Sequence, residues 1–184
     1  MRWLLFLLLF PVTALAEPVP YRLDPENSLV GFAFDVGGDE IKGNMPVSAA
    51  TIRLDLNTLS QSTATVTLDT TRAITEEAFA TDAMLGPSVL DAATFPEITF
   101  EATRITGTIN DGQIEGLVTI KGVTRPVTLD AQVFRQRGST ENDLSRLSVL
   151  MRGTVDRREF GADGFAQFVG PEIRIDILTR LDRL

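Results

Sequence analysis

The chain has 184 residues, a length that fits one domain or at most two small ones and is enough to bury a sizeable core. Its 43% hydrophobic and 23% charged residues exclude collagen-like, disordered and polytopic membrane classes. With no Cys and no His, a disulfide, a thiolate nucleophile, a Cys/His zinc site and an imidazole base are all excluded, and a formal net charge of −8 disfavours a nucleic-acid partner.

Met1 to Ala16 carry a positive Arg2, an apolar run from Trp3 to Phe10 and the small-residue ending Ala14-Leu15-Ala16. This is the layout of a secretory signal peptide. The run is too short to cross about 30 Å of hydrocarbon, and Pro11 interrupts it. The expectation is a signal peptide over residues 1–16, cleaved on export to the periplasm, and one domain over 17–184. No Cys follows the cleavage site, so no lipid is attached there and no stable membrane insertion is expected.

From Val30 onward the chain alternates apolar and polar residues with period two, the mark of strands with one buried face. Eight segments show it. They are Val30 to Val36, Ile52 to Leu56, Ala64 to Leu68, Ile98 to Ala102, Ile114 to Ile120, Val127 to Val133, Leu147 to Val155 and Ile173 to Ile177. Gly37-Gly38-Asp39, Asn110-Asp111-Gly112 and Gly122 to Pro126 supply turn chemistry between them, and Asp24-Pro25-Glu26-Asn27 reads as a turn as well. Short links imply antiparallel pairing, and eight such strands can close into a barrel that leaves no exposed edge.

One connection lacks alternation. Between Thr70 and Pro96 the sequence predicts a short helix capped by Thr75, favoured by Glu76 and Glu77 in its first turn and stopped at Gly86-Pro87, with a second turn from Ser88 to Ala92. The stretch Arg135 to Asp143 reads as a mobile loop. The fold class is therefore all-β, an eight-stranded antiparallel barrel with a helical insertion capping one end. Such a barrel either fills with its own side chains or holds one small ligand.

Four tracts resemble the YceI-like family of lipocalin-like periplasmic proteins. Tyr21-Arg22-Leu23-Asp24-Pro25-Glu26-Asn27-Ser28 with Phe32 and Phe34 matches its first strand, and Asp82, Leu85, Leu90 and Asp91 followed by Phe95-Pro96-Glu97-Ile98-Thr99-Phe100 matches its cap helix and next strand. Gly116 to Val127, with Gly122-Val123-Thr124-Arg125-Pro126-Val127, and Arg157-Arg158-Glu159-Phe160-Gly161 follow in the family's order. The chain departs from the pattern at Thr81, where an arginine is usual, and at Val89 and Leu90, where paired aromatics are usual. Membership implies a soluble carrier, not an enzyme, holding a polyisoprenoid or similar amphiphile inside the barrel. The residues implied to line it are Phe32, Phe34, Phe79, Leu85, Leu90, Phe95, Ile98, Phe100, Val118, Ile120, Val149 and Phe160.

The residues themselves leave a second reading open, a filled barrel serving as an envelope interaction or stress-response module. On that reading the phenylalanines are core filling, whereas small inward residues such as Ala102 beside Phe100, and Gly116 beside Ile114 and Val118, leave room for a ligand. Arg125 and the Arg158 to Gly161 region are the charged candidates for a headgroup contact, with surface ion pairs as the alternative. Lys42 and Lys121 are the only lysines, each beside a glycine, which leaves little for Ser-Lys chemistry. No metal or cofactor is expected. The polar outer faces at Thr65, Thr67, Thr99, Glu101 and Thr103 point to a monomer or weak dimer.

Overall fold

A computed structural model describes residues 17–135, 140 and 143–184. The expected signal peptide and most of the Arg135 to Asp143 loop lie outside the described residues. In chain order the elements are β1 (Val19–Val36), β2 (Asp39–Asn44), β3 (Val47–Leu54), β4 (Thr63–Asp69), β5 (Ile74–Thr75), α1 (Ala78–Leu85), β6 (Glu97–Gly107), β7 (Gly112–Ile120), β8 (Val123–Arg135), β9 (Arg146–Asp156) and β10 (Glu172–Arg183). Eight of them pair antiparallel in the order β1, β3, β4, β6, β7, β8, β9, β10, and β10 pairs back onto β1 to close the barrel. These are the eight strands that the alternation predicts.

Two strands escaped the sequence pattern. Of the six residues of β2 only Ile41 is apolar and buried, so no alternation can show, and β5 has two residues. They pair with each other and extend the rim beyond β3, because β1 is shared along its length. Its first residues, Val19 to Tyr21, pair with β3, and its last, Gly31 to Val36, pair with β2.

The expected turn at Asp24 to Asn27 is a bulge inside β1 instead, where the register on β10 shifts between Asp24 and Leu29. The turn chemistry is nevertheless present, since Asp24 Oδ1 accepts the amides of Glu26 and Asn27 at 3.1 and 3.3 Å. Ser28 Oγ accepts the Arg180 amide at 2.9 Å and replaces the missing ladder bond. A side-chain acceptor on each side thus lets the strand continue through residues that would otherwise end it.

Two hairpins use the left-handed pair of residues that two-residue turns need. Gly37 and Gly38 have φ of 62 and 102°, and Lys121 and Gly122 have φ of 52 and 75°. The second hairpin corrects the expected link from Gly122 to Pro126: Ile120 pairs with Val123, so only Lys121 and Gly122 lie outside the strands. The Asn110-Asp111-Gly112 turn is likewise longer than a tight hairpin, with Gly107 opposite Gly112 across a four-residue loop.

Helix α1 stops before Gly86-Pro87 as expected, but Thr75 does not cap it. Glu77 holds the N-cap position with no side-chain bond, while Thr75 belongs to β5, where its hydroxyl donates to the Glu77 carbonyl at 2.7 Å and its amide donates to Thr81 Oγ1 at 2.9 Å. Thr75 ties the helix start to the sheet edge. Beyond the helix, Leu90 and Ala92 return amides to Met84 and Leu85, so the predicted second turn folds back onto α1.

The largest cluster of buried residues lies at the end opposite α1. Tyr21, Leu23, Ile52, Leu147, Val149 and Leu181 pack there as a floor, and the Tyr21 hydroxyl donates to the Leu144 carbonyl at 2.9 Å, which satisfies its buried polar tip. Under α1 a second cluster joins Met45, Ala73, Met84 and Ile98.

Gly116 does not create room, contrary to expectation. The Phe100 ring lies over it, and a Cβ there would meet that ring as well as the Glu101 carbonyl oxygen at 2.7 Å. Gly116→Ala should therefore overpack the wall and cost about 1–3 kcal/mol. Leu147→Ala, which empties the floor at a side chain 2% exposed, should cost about 2–5 kcal/mol. Urea unfolding midpoints check both, and a Gly116→Ala variant as stable as its parent would show that Phe100 can leave the glycine freely.

Candidate functional site

The barrel encloses an apolar cavity of about 520 Å³, within the range of small-molecule sites. Inward residues of all eight barrel strands build it because each strand turns every second side chain to the axis. Ten of the twelve candidates line it: Phe32, Phe34, Phe79, Leu90, Ile98, Phe100, Val118, Ile120, Val149 and Phe160. Leu85 and Phe95 do not. Leu85 packs into the cluster under α1, and the Phe95 ring sits against Gly122, 3.2 Å from where its Cβ would be, wedged beneath the β7–β8 hairpin.

The open end lies between α1 and the segment 161–170. Phe79 on α1 and Phe165 and Phe168 on that segment line the cavity while remaining 64, 45 and 62% exposed. Phe165 and Phe168 were missed because their segment has no repeating pattern for a periodicity argument to detect. The segment is docked by backbone bonds: Gly37 donates to the Phe168 carbonyl at 2.9 Å, Gly164 donates to the Ser88 carbonyl at 2.9 Å, and Val169 bridges Val36.

Two cations fasten the same region. Lys121 Nζ donates to the carbonyls of Pro87 and Gly161 at 3.2 and 2.9 Å, joining the hairpin to both halves of the cap. Arg157, 6% exposed, donates to the carbonyls of Gly170, Ala162, Gly164 and Val169. Burial lowers its guanidinium pKa, opposed by the attraction of Asp163 and Asp156, yet an arginine stays charged. Sequence reading placed Arg157 in a family motif without giving it a role.

The charged candidates for a headgroup contact sit elsewhere. Arg125 is exposed and donates to the Thr124 carbonyl, and Arg158 is exposed and paired with Asp156, its Nε 2.9 Å from Oδ1; neither lines the cavity. The Arg158 side chain and amide bonds hold the Asp156 pKa down to about 2. A carboxylate with a lowered pKa contributes stability above its unfolded value, about 3.9, that is lost as pH falls through the folded value. Asp156→Asn should therefore be less stable than its parent at pH 6, and the gap should close between about pH 4 and pH 2. Melting temperature against pH checks this, and a gap that does not change with pH would refute it.

Among the described residues no group of three or more Asp or Glu is arranged to hold a metal ion, and no helix is long and apolar enough to cross a membrane. The hydroxyls of the cavity wall are already engaged. Ser62 Oγ accepts the Asp55 amide, Thr108 Oγ1 accepts the Asp111 amide, and Thr179 Oγ1 donates to the Val149 carbonyl. Among the described residues of this wall no nucleophile is paired with a base, and the wall offers a surface for apolar contact.

An eight-stranded antiparallel barrel closed around one apolar cavity, with a short helix across its open end, is a lipocalin-like barrel. The YceI-like domain matches residues 21–181, and the chain belongs to that family. It is 30% identical to Protein YceI of Salmonella arizonae over 127 residues, which is 67% of this chain and 66% of that relative, just under two thirds of its length. Among solved structures it is similar to Burkholderia cenocepacia BcnA, with a TM-score of 0.75 at 20% identity, covering 86% of this chain and 99% of that one. It is also similar to a polyisoprenoid binding domain from Saccharophagus degradans implicated in plant cell wall breakdown, with a TM-score of 0.64 at 12% identity, covering 90% and 99%. At these identities the structural likeness speaks for the fold.

Proposed function

We propose that the chain is an envelope carrier for a long-chain amphiphile, a polyisoprenoid or isoprenoid quinone, exported by cleavage after Ala16 and acting by sequestration or transfer without a reaction of its own. The apolar cavity carries this reading. A tail of about ten methylene equivalents buried there at roughly 0.8 kcal/mol each yields a gross term of about 8 kcal/mol, on the order of micromolar before ordering costs. Such an affinity holds a lipid and still releases it. The family likeness and the description of the Saccharophagus neighbour support the same ligand class.

A filled barrel offers no comparable space, so the interaction-module reading has less behind it. Organic extraction of the purified protein followed by mass spectrometry tests the carrier reading, together with titration of an apolar dye. Bound lipid and saturable dye uptake are expected. A protein that is reproducibly empty and takes up neither dye nor isoprenoid quinone would overturn it. The proposal includes a monomer or weak dimer, which light scattering checks at low micromolar concentration.

One strand separates inside from outside. Phe100 lines the cavity, whereas Thr99 faces solvent, paired with Thr67 and Thr119 across the ladder. Phe100→Ala should change which chain lengths bind and cost less than the roughly 3–5 kcal/mol of a packed-core phenylalanine, because the ring already borders empty space. Added ligand should restore part of the loss. Thr99→Ala should shift stability by no more than about 0.5 kcal/mol and leave uptake unchanged. Melting temperature and bound lipid for both variants decide, and the reverse pattern would invert the pocket.

A further inference from the structure

Arg157 is the only ionisable side chain among the described residues that line the cavity. The wall around it is hydrocarbon and engaged hydroxyls, and none of the ion pairs among the described residues includes Arg157. Backbone carbonyls take all of its hydrogen bonds, while Asp163 and Asp156 attract it from beyond ion-pair distance. A guanidinium has five N–H donors, and four are used: Nε on Gly170, both of Nη1 on Ala162 and Gly164, and one of Nη2 on Val169. One Nη2 donor has no protein acceptor among the described residues. The fork is rigidly held, because its four acceptors belong to the segment that forms the rim.

Placement matters as much as charge. Phe160, Ala162, Gly164, Phe165 and Phe168 line the cavity beside Arg157, so the cation stands at the mouth while the floor beyond Leu23 and Leu181 is closed and apolar. A ligand that lies tail-first in this space brings its head to Arg157. Taking a charge out of water is costly, and a charge-assisted hydrogen bond is about twice as strong as a neutral one where water is excluded. An anionic oxygen group there recovers what four neutral carbonyls leave unrecovered.

Building on the carrier reading, we infer that Arg157 is the headgroup subsite of this cavity and that the amphiphile it takes carries an anionic oxygen head, a carboxylate or a phosphate, not a neutral alcohol. The net charge of −8 does not oppose this at short range. Exposed carboxylates such as Glu76 and Glu77 are screened over about 8 Å at physiological salt, whereas a desolvated guanidinium is screened much less; Asp163 and Asp156 attract Arg157 but accept none of its N–H groups. The stapling of segment 161–170 and the headgroup contact are compatible, since the staple aims the remaining donor.

The test compares matched ligands on the intact protein at pH 7 by displacement of an apolar fluorescent dye. The pairs are dodecanoate against dodecanol and farnesyl phosphate against farnesol, with inorganic phosphate alone as a separate arm. Each anion should bind about tenfold or more tightly than its alcohol, as one hydrogen bond to a charged group provides. Inorganic phosphate alone should displace nothing, because the tail supplies the apolar term. Arg157→Met should narrow the anion-to-alcohol ratio to within about threefold, and Arg157→Lys, which keeps the charge, should retain part of it. If Arg157→Met fails to fold, the ratio in the unaltered protein still decides. Equal binding of anion and alcohol overturns the subsite and leaves the carrier reading standing. Displacement by phosphate alone overturns the tail-first arrangement. No binding by any of the four amphiphiles overturns the carrier reading and the subsite with it.

Discussion

Everything else in the molecule depends on how β1 is shared. A closed eight-stranded barrel needs each strand to have two partners, and β1 keeps β10 on one side from Tyr21 to Ala33, across the bulge, while changing from β3 to β2 on the other. The change falls at Met45-Pro46, where proline cannot donate to a ladder and Met45 instead donates to the Val30 carbonyl at 3.0 Å. The wall therefore splits where the cap begins. One branch continues round the barrel, and the other forms the small β2–β5 flap to which α1 is tied through Thr75.

The cap adds polar contacts to the packing under α1, where the floor is held mainly by packing. Below, Tyr21, Leu147 and Leu181 exclude solvent and make the closed end rigid. Above, α1, Ser88 and segment 161–170 meet through single backbone bonds and the donors of Lys121 and Arg157. The Lys121 bonds lie at a wet surface and contribute little each, so the two ends of one barrel differ in how easily they open locally. That contrast suits a container filled and emptied from one side.

The eight barrel strands were legible because each buries one face, and burial imposes period two on residues such as Ile173, Ile175 and Ile177 whatever the loops do. Ten of the candidate lining residues followed from the same logic and from the family likeness. Legibility stopped where period stops. Ile41 alone could not announce β2, and Phe165 and Phe168 sit on an irregular segment with no rhythm. Leu85 and Phe95 were misplaced because an apolar residue near a cap can face the cap's own small core as readily as the cavity. Gly116 misled for a related reason: a missing side chain reads as space until a ring from the neighbouring strand is seen to lie over it. Arg157 was visible as a residue and not as a role, since its acceptors are backbone carbonyls that carry no sequence signature.

The engaged hydroxyls of Ser62, Thr108 and Thr179 have a volumetric consequence. Water admitted to the cavity finds almost no free polar partner, and apolar cavities of this kind tend to stay dry. An empty barrel then carries void space that disappears when the chain unfolds, and the volume change of unfolding grows more negative with the void eliminated. Hydrostatic pressure should thus destabilise the unliganded protein more than a solid barrel of equal size, and a lipid in the cavity should remove much of that sensitivity.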